Sequence, residues 1–181
     1  IYSFPMKYHP IRKGKDDAED LSHNRDYIGK HWNRKYIRAI QAILNSTKGK
    51  VGKGITFFLE AFGNDETEYM ELLEMPETFI LYRFFFKWLD EKGSMGTDHW
   101  RQCWSHCMNT LPEDEKQLVL DIIHTNTFYK EELEAVTSED ALKLLKFYTN
   151  YRKDIITPGT ELYRLKQEYD EKPTIKLRRK K

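Results

Sequence analysis

The residues whose types could do chemistry are concentrated in one ten-residue segment, Asp98–Cys107. On an α-helix, which turns about 100° per residue, His99, Cys103 and His106 fall within roughly 60° of one another. Imidazole nitrogen and thiolate sulfur on one helix face are ligands that Zn²⁺ accepts in proteins. Structural zinc sites usually draw ligands from two separated elements, and the chain has only 2 cysteines. We therefore predict no metal site, and His99, Cys103 and His106 are the alternative ligands.

The same segment holds an arginine and a histidine at a spacing found in RNA-cleaving enzymes. Arg101 is followed by four residues and then by His106. This spacing resembles the Arg-x4-His signature of the HEPN-type helical ribonucleases, and it implies that the two side chains act on the 2′-hydroxyl and phosphate of RNA. Trp100 and Trp104 form an apolar stripe on the same helix, which favours a structural role. No catalytic residue is assigned, and Arg101 and His106 are the alternative.

The charge of the chain is divided between basic ends and an acidic middle. The net charge is +7 over residues 1–54, −11 over residues 55–170 and +5 over residues 171–181, within a total of +1. Two explanations fit this pattern. Either the basic ends pack against the acidic body, or they bind an anion such as nucleic acid.

The cations best suited to nucleic acid lie on the first long helix and in the tail. Lys30, Arg34 and Arg38 recur every four residues and therefore form a stripe on one helix face. Arg178 and Arg179 belong to the basic tail. These five side chains are the predicted nucleic-acid-binding residues of that hypothesis.

Helical periodicity runs through most of the chain. A first long helix is predicted over residues 30–46, and its apolar face includes Trp32 and Tyr36. Both rings are predicted to be buried, although the nucleic-acid hypothesis would use them for stacking. Residues 77–90 are apolar on nearly every side, which predicts a central helix. Asn64 is predicted to cap the helix that follows it.

The pattern predicts an all-α fold, a multi-helix array with a short N-terminal strand or extended arm. Residues 1–26 form the predicted arm and loop, residues 27–170 the helical domain, and residues 171–181 the basic tail. Pro5 lacks the N–H that a sheet ladder needs, so the strand is short. Because exposed strand edges are a liability, either the strand pairs with something outside this chain or the segment packs as an extended arm.

Composition narrows the function classes further. The glycines and lysines near residues 49–54 lack the spacing of a phosphate-binding loop. Two cysteines alone cannot hold an iron–sulfur cluster. They also argue against a disulfide scaffold, so we predict a cytoplasmic protein. No apolar stretch approaches the roughly 20 residues of a membrane span, so we predict no membrane partner.

Five stretches of the chain carry a family resemblance. They are Ser3–Pro10, Tyr27–Gln41, Ala61–Gly63, Met75–Glu77 and Cys103–Trp104. Together they resemble the C-terminal portion of a group of radical SAM proteins, over about residues 1–130. In that family the arm follows the last strands of a partial barrel that holds an iron–sulfur cluster. The cluster-binding cysteines that define the family's activity are not in this chain, so no catalytic residue is carried over.

The resemblance implies an accessory C-terminal helical domain of a radical SAM protein, not catalytic alone. S-adenosylmethionine and the iron–sulfur cluster would belong to a missing N-terminal catalytic domain or partner chain, and this chain would bind no cofactor. Pro5, Met6 and Tyr8 would lie near the mouth of the barrel. The alternatives are a nucleic-acid-binding helical module, a HEPN-like ribonuclease and a structural interaction protein without a ligand.

Overall fold

The computed structural model of the chain describes residues 28–49, 54–149 and 151–171. These residues contain eleven α-helices and no strand, which confirms the all-α prediction for the described part. The helices are α1 Arg34–Ser46, α2 Ile55–Phe62, α3 Glu66–Glu74, α4 Glu77–Leu81, α5 Arg83–Glu91, α6 Thr97–Thr110, α7 Glu113–Thr125, α8 Lys130–Glu134, α9 Glu139–Thr149, α10 Tyr151–Ile156 and α11 Glu161–Asp170. The predicted strand or arm and nearly all of the basic tail lie outside the described residues.

The helix contacts form two groups, one centred on α1 and the other on α6. On one side α1 lies against α3, α4 and α7, and on the other α6 lies against α9 and α5. Helix α10 joins α9 to α11, and α11 returns to α5. The buried hydrophobic side chains of these helices form one continuous core.

Residues 77–90 contribute side chains to the centre of the core, as predicted, although Phe84 is 56% exposed and the segment is therefore not buried on every side. Phe79, Phe85 and Phe86 are all at most 1% exposed. The rings of Phe79 and Phe86 meet edge to face with centroids 4.2 Å apart, a favourable aromatic geometry. The segment is two helices, however, because the backbone leaves the helical region at Tyr82, which has φ −109° and ψ 27°.

Two local predictions about helix starts are wrong. Helix α1 begins at Arg34, because the Asn33 side chain accepts a hydrogen bond from the Tyr36 N–H at 2.8 Å and so acts as the N-cap. Trp32 therefore precedes the helix and is 46% exposed instead of buried. Helix α3 is capped by Asp65, one residue later than predicted, while Asn64 bonds to the Glu68 carboxylate.

Candidate functional site

A groove lies between the start of α1 and the segment that joins α7 to α8. Its volume is about 760 Å³. We call it the α1–α7 groove. The lining residues are Ile28, Gly29, Lys30, Trp32, Asn33, Arg34, Arg38, His124, Thr125, Asn126, Thr127 and Tyr129.

Turns at both ends of this groove place its residues. The Trp32 N–H donates to the Gly29 carbonyl at 2.9 Å, which folds the chain back just before the Asn33 cap. Helix α7 ends at Thr125 and is capped by Asn126, whose left-handed backbone (φ 54°) is one that asparagine tolerates. The packing of α1 on α7 then brings the two turns to the same surface.

The groove is electropositive. Lys30, Arg34, Arg38 and His124 line it, and no aspartate or glutamate occurs among its described lining residues. Arg38 is held at the rim by Glu77, with its Nε and Nη2 atoms 2.8 and 3.1 Å from the two carboxylate oxygens. The predicted stripe on one helix face is wrong at Lys30, which lies in the turn before α1, since the helix begins at Arg34. The groove still brings Lys30, Arg34 and Arg38 together with His124 of α7.

A carboxylate beneath the groove orients that histidine. Nε2 of His124 lies 3.0 and 3.1 Å from the two carboxylate oxygens of Glu74. The same carboxylate accepts a hydrogen bond from the Tyr36 hydroxyl. Burial, together with the Glu74 hydrogen bond, raises the pKa of Tyr36 well above its ordinary value, so the phenol stays a donor. The Tyr36 side chain therefore bonds to Glu74 and does not line the groove. Its ring also meets the His124 ring edge to face, with the two centroids 5.4 Å apart.

A buried lysine joins α1 to the end of α3. Lys35 is 1% exposed, and its Nζ donates to the carbonyls of Leu73 at 2.9 Å and Met75 at 2.6 Å. Burial lowers the pKa of Lys35 to about 8. Sequence reasoning missed this contact. The burial of Lys35 could have been predicted from its position, since it lies one helical turn before Ala39 on the buried face of α1.

The structure does not bring Arg101 and His106 together on α6. Nε of Arg101 donates to Glu71 of α3 at 2.8 Å, and Nη1 donates to Asp98 at 2.6 Å. His106 lies on the α9 side, with Nε2 3.2 Å from Asp140. Five residues on a helix separate two side chains by about 140° of rotation, which explains the divergence. RNA cleavage by this pair stays a prediction.

The alternative metal ligands are also divided between different contacts. His99 packs against Phe147, whereas Cys103 and His106 line a cavity of about 180 Å³ with Cys107. Within the described ranges, no group of three or more histidine, cysteine or acidic side chains is arranged to hold a metal ion. Burial raises the pKa of Cys107 to about 11, so its thiol is protonated at neutral pH.

Of the remaining predicted residues, the structure describes the tryptophans of α6 but not the arginines of the tail. Arg178 and Arg179 lie outside the described residues. Trp100 is buried, as its apolar stripe predicts, and its Nε1 donates to the Tyr148 hydroxyl at 3.2 Å. Tyr129, 66% exposed in the α1–α7 groove, was not singled out from the sequence. In the sequence, the only indication of its role is that an aromatic residue stands just before a short helix.

Comparisons with known proteins leave the chain without an identified relative. No protein-family model, curated protein or solved structure matches it. In the part of the chain that the structure describes, no helix has the length and apolar character needed to cross a membrane.

Proposed function

We propose that this chain is the accessory C-terminal helical domain of a radical SAM protein and is not catalytic alone. In this proposal S-adenosylmethionine and the iron–sulfur cluster bind to an N-terminal catalytic domain or to a partner chain. The helical domain supplies a folded support and a surface against which that domain packs.

One observation carries the proposal: stretches of the radical SAM resemblance that are far apart in sequence bond to each other. Lys35 donates to the Met75 carbonyl, and Arg38 forms a two-atom ion pair with Glu77. Ala61 is fully buried in the same core. The resembling residues thus build a scaffold between α1 and the α3–α4 turn. That role supports an accessory domain, because residues of a catalytic centre would converge on an open cavity instead.

The coding sequence upstream of this chain tests the proposal. We expect the same reading frame, or a neighbouring gene, to encode a motif of three closely spaced cysteines that binds an iron–sulfur cluster. The isolated chain serves as the control. After anaerobic incubation with iron and sulfide it should retain no more iron than a Cys103→Ala, Cys107→Ala variant. Upstream and neighbouring genes without such a motif would contradict the proposal.

A second candidate function, nucleic-acid binding, is supported by the electropositive α1–α7 groove. Lys30, Arg34, Arg38 and His124 line it, and the carboxylates that contact two of them, Glu77 at Arg38 and Glu74 at His124, are not among the lining residues. Binding of this kind is driven by counterion release and weakens steeply as salt rises.

Titration of a labelled single strand at increasing salt tests the second candidate. A Lys30→Gln, Arg34→Gln variant should bind more weakly and with a shallower salt dependence, by about 0.7 in the log–log slope for each lost phosphate contact. The matched control is Lys146→Gln, Lys153→Gln, two exposed cations outside the groove. Equal losses in both variants would refute a role for the groove.

A further inference from the structure

Two exposed aromatic rings share the α1–α7 groove with its cations. Trp32 and Tyr129 come from different elements, and each is among the most exposed large hydrophobic side chains of the described residues. Exposing such rings is unfavourable, since an aromatic side chain gains most when its faces are covered. Their presence beside cations is the arrangement that single-stranded nucleic-acid sites use, where bases stack on aromatic rings and basic groups follow the phosphates.

His124 adds a second, independent feature. Its Nε2 must carry a proton to bond with the Glu74 carboxylate, so Nδ1 is the nitrogen left for a ligand. No described residue hydrogen-bonds to Nδ1. In this tautomer Nδ1 is a hydrogen-bond acceptor, to which an amino or imino group of a nucleic-acid base can donate.

We propose that the α1–α7 groove binds single-stranded nucleic acid, with a phosphate held by Lys30 and Arg34 and a base stacked on Trp32 or Tyr129. The proposal rests on the second candidate function and adds the kind of nucleic acid recognised. A duplex keeps its base faces stacked inside, so it cannot offer them to the two rings. The groove volume of about 760 Å³ lies within the range of specific ligand sites, about 300–1,000 Å³.

The experiment measures binding of three probes to the full chain. They are a fluorescent oligodeoxythymidine of about 12 nucleotides, a duplex of the same length, and inorganic polyphosphate used as a competitor. We expect Trp32→Ala and Tyr129→Ala each to weaken oligodeoxythymidine binding by about 5- to 150-fold, the equivalent of one lost base stack. Competition by polyphosphate, which has no bases, should change less than about twofold in the same variants.

Two controls keep the result interpretable. Tyr129→Phe retains the ring and should bind the single strand like the unmodified chain. Phe84→Ala removes an exposed aromatic side chain outside the groove and should also leave binding unchanged. Thermal melts of all variants show whether each one folds, and the exposure of Trp32 and Tyr129 predicts small shifts.

The outcomes separate this inference from the second candidate function. Normal single-strand binding by both alanine variants, or equal binding of the duplex, overturns the inference. If the Lys30→Gln, Arg34→Gln variant still loses affinity in that case, electrostatic binding by the groove stands without base stacking. Failure of the unmodified chain to bind any of the three probes overturns both.

Discussion

Replacing Lys35 with methionine tests how the fold holds a buried cation. The side chain is 1% exposed, and its Nζ donates to the carbonyls of Leu73 and Met75 at the end of α3. Methionine has nearly the same length and fills the same space, but it donates no hydrogen bond. The substitution therefore removes both the charge and the two donors with little change in packing.

Two opposing terms set the magnitude of the effect. Each buried carbonyl left without a donor costs about 1–3 kcal/mol, so two cost about 2–6 kcal/mol. Against this, the lowering of the Lys35 pKa from 10.5 to about 8 means that burial disfavours the charged amine by about 3 kcal/mol. Methionine avoids that penalty. The expected net loss near neutral pH is therefore at most about 3 kcal/mol.

The dependence on pH decides which term dominates. Between about pH 8 and 10.5 the unfolded chain still binds a proton on Lys35 that the folded chain has released. Stability contributed by this residue therefore rises with pH across that window. The loss caused by Lys35→Met should be larger at about pH 10 than at about pH 7, by about 2–3 kcal/mol.

Urea unfolding at several pH values, followed by circular dichroism, measures these differences. Lys146→Met, at an exposed position, is the control and should stay within about 0.5 kcal/mol of the unmodified chain. Titration of tyrosines and cysteines is shared by all the proteins and cancels in the comparison. If ion pairing with Glu74 and Glu77 governed Lys35 instead, the loss would shrink as the pH rises, and the explanation by burial would be refuted.

Three further predictions concern packing and the α6 helix. Phe79→Ala should cost about 3–5 kcal/mol in the same urea assay, and a loss under about 1 kcal/mol would place the ring outside the core. Gly96→Ala should lower the free energy of unfolding by about 2–4 kcal/mol, because the new Cβ would meet the Asp90 carboxylate that accepts the first N–H groups of α6. In an Asp90→Ala background the same substitution should cost less, and fully additive losses in the double variant would disprove the contact. Iodoacetamide should modify Cys103 before the buried Cys107, whose pKa is about 11, and the reverse order by mass spectrometry would contradict the burial.

Local backbone signals predicted much of the fold. Gly63 ends α2 with φ 92°, where a Cβ would also clash with the next helix at 2.8 Å, and Pro76 separates α3 from α4. These positions are predictable because their preferences depend on the residue itself and its immediate neighbours. Burial of Phe79, Phe85 and Phe86 was predictable from the apolar character of residues 77–90, whereas the 56% exposure of Phe84 was not.

The α1–α7 groove could be predicted only in part. The stripe Lys30, Arg34 and Arg38 is visible in the sequence, but His124 and Tyr129 join it only through the packing of α1 on α7. Trp32 was predicted to lie on the helix because the apolar periodicity extends back past Asn33. In the structure Asn33 is the N-cap, and α1 begins only at Arg34.

Most of the features that could not be predicted from the sequence depend on contacts between residues far apart in the chain. Lys35 binds carbonyl groups 38 and 40 residues away, and a backbone carbonyl has no signature in the sequence. The divergence of Arg101 and His106 follows from their five-residue spacing on one helix, but their partners, Glu71 and Asp140, belong to other helices and have no signal in the sequence.

The native form of the protein gives the most direct test of the accessory-domain proposal. An antibody against an exposed surface of the helical domain can isolate the protein anaerobically from its source cells. Iron analysis and peptide sequencing of the isolated material then give the decisive result. We predict bound iron and sulfide together with peptides that carry a three-cysteine cluster motif, in the same polypeptide or in a stoichiometric partner. Recovery of the helical chain without iron and without such a polypeptide would contradict the account.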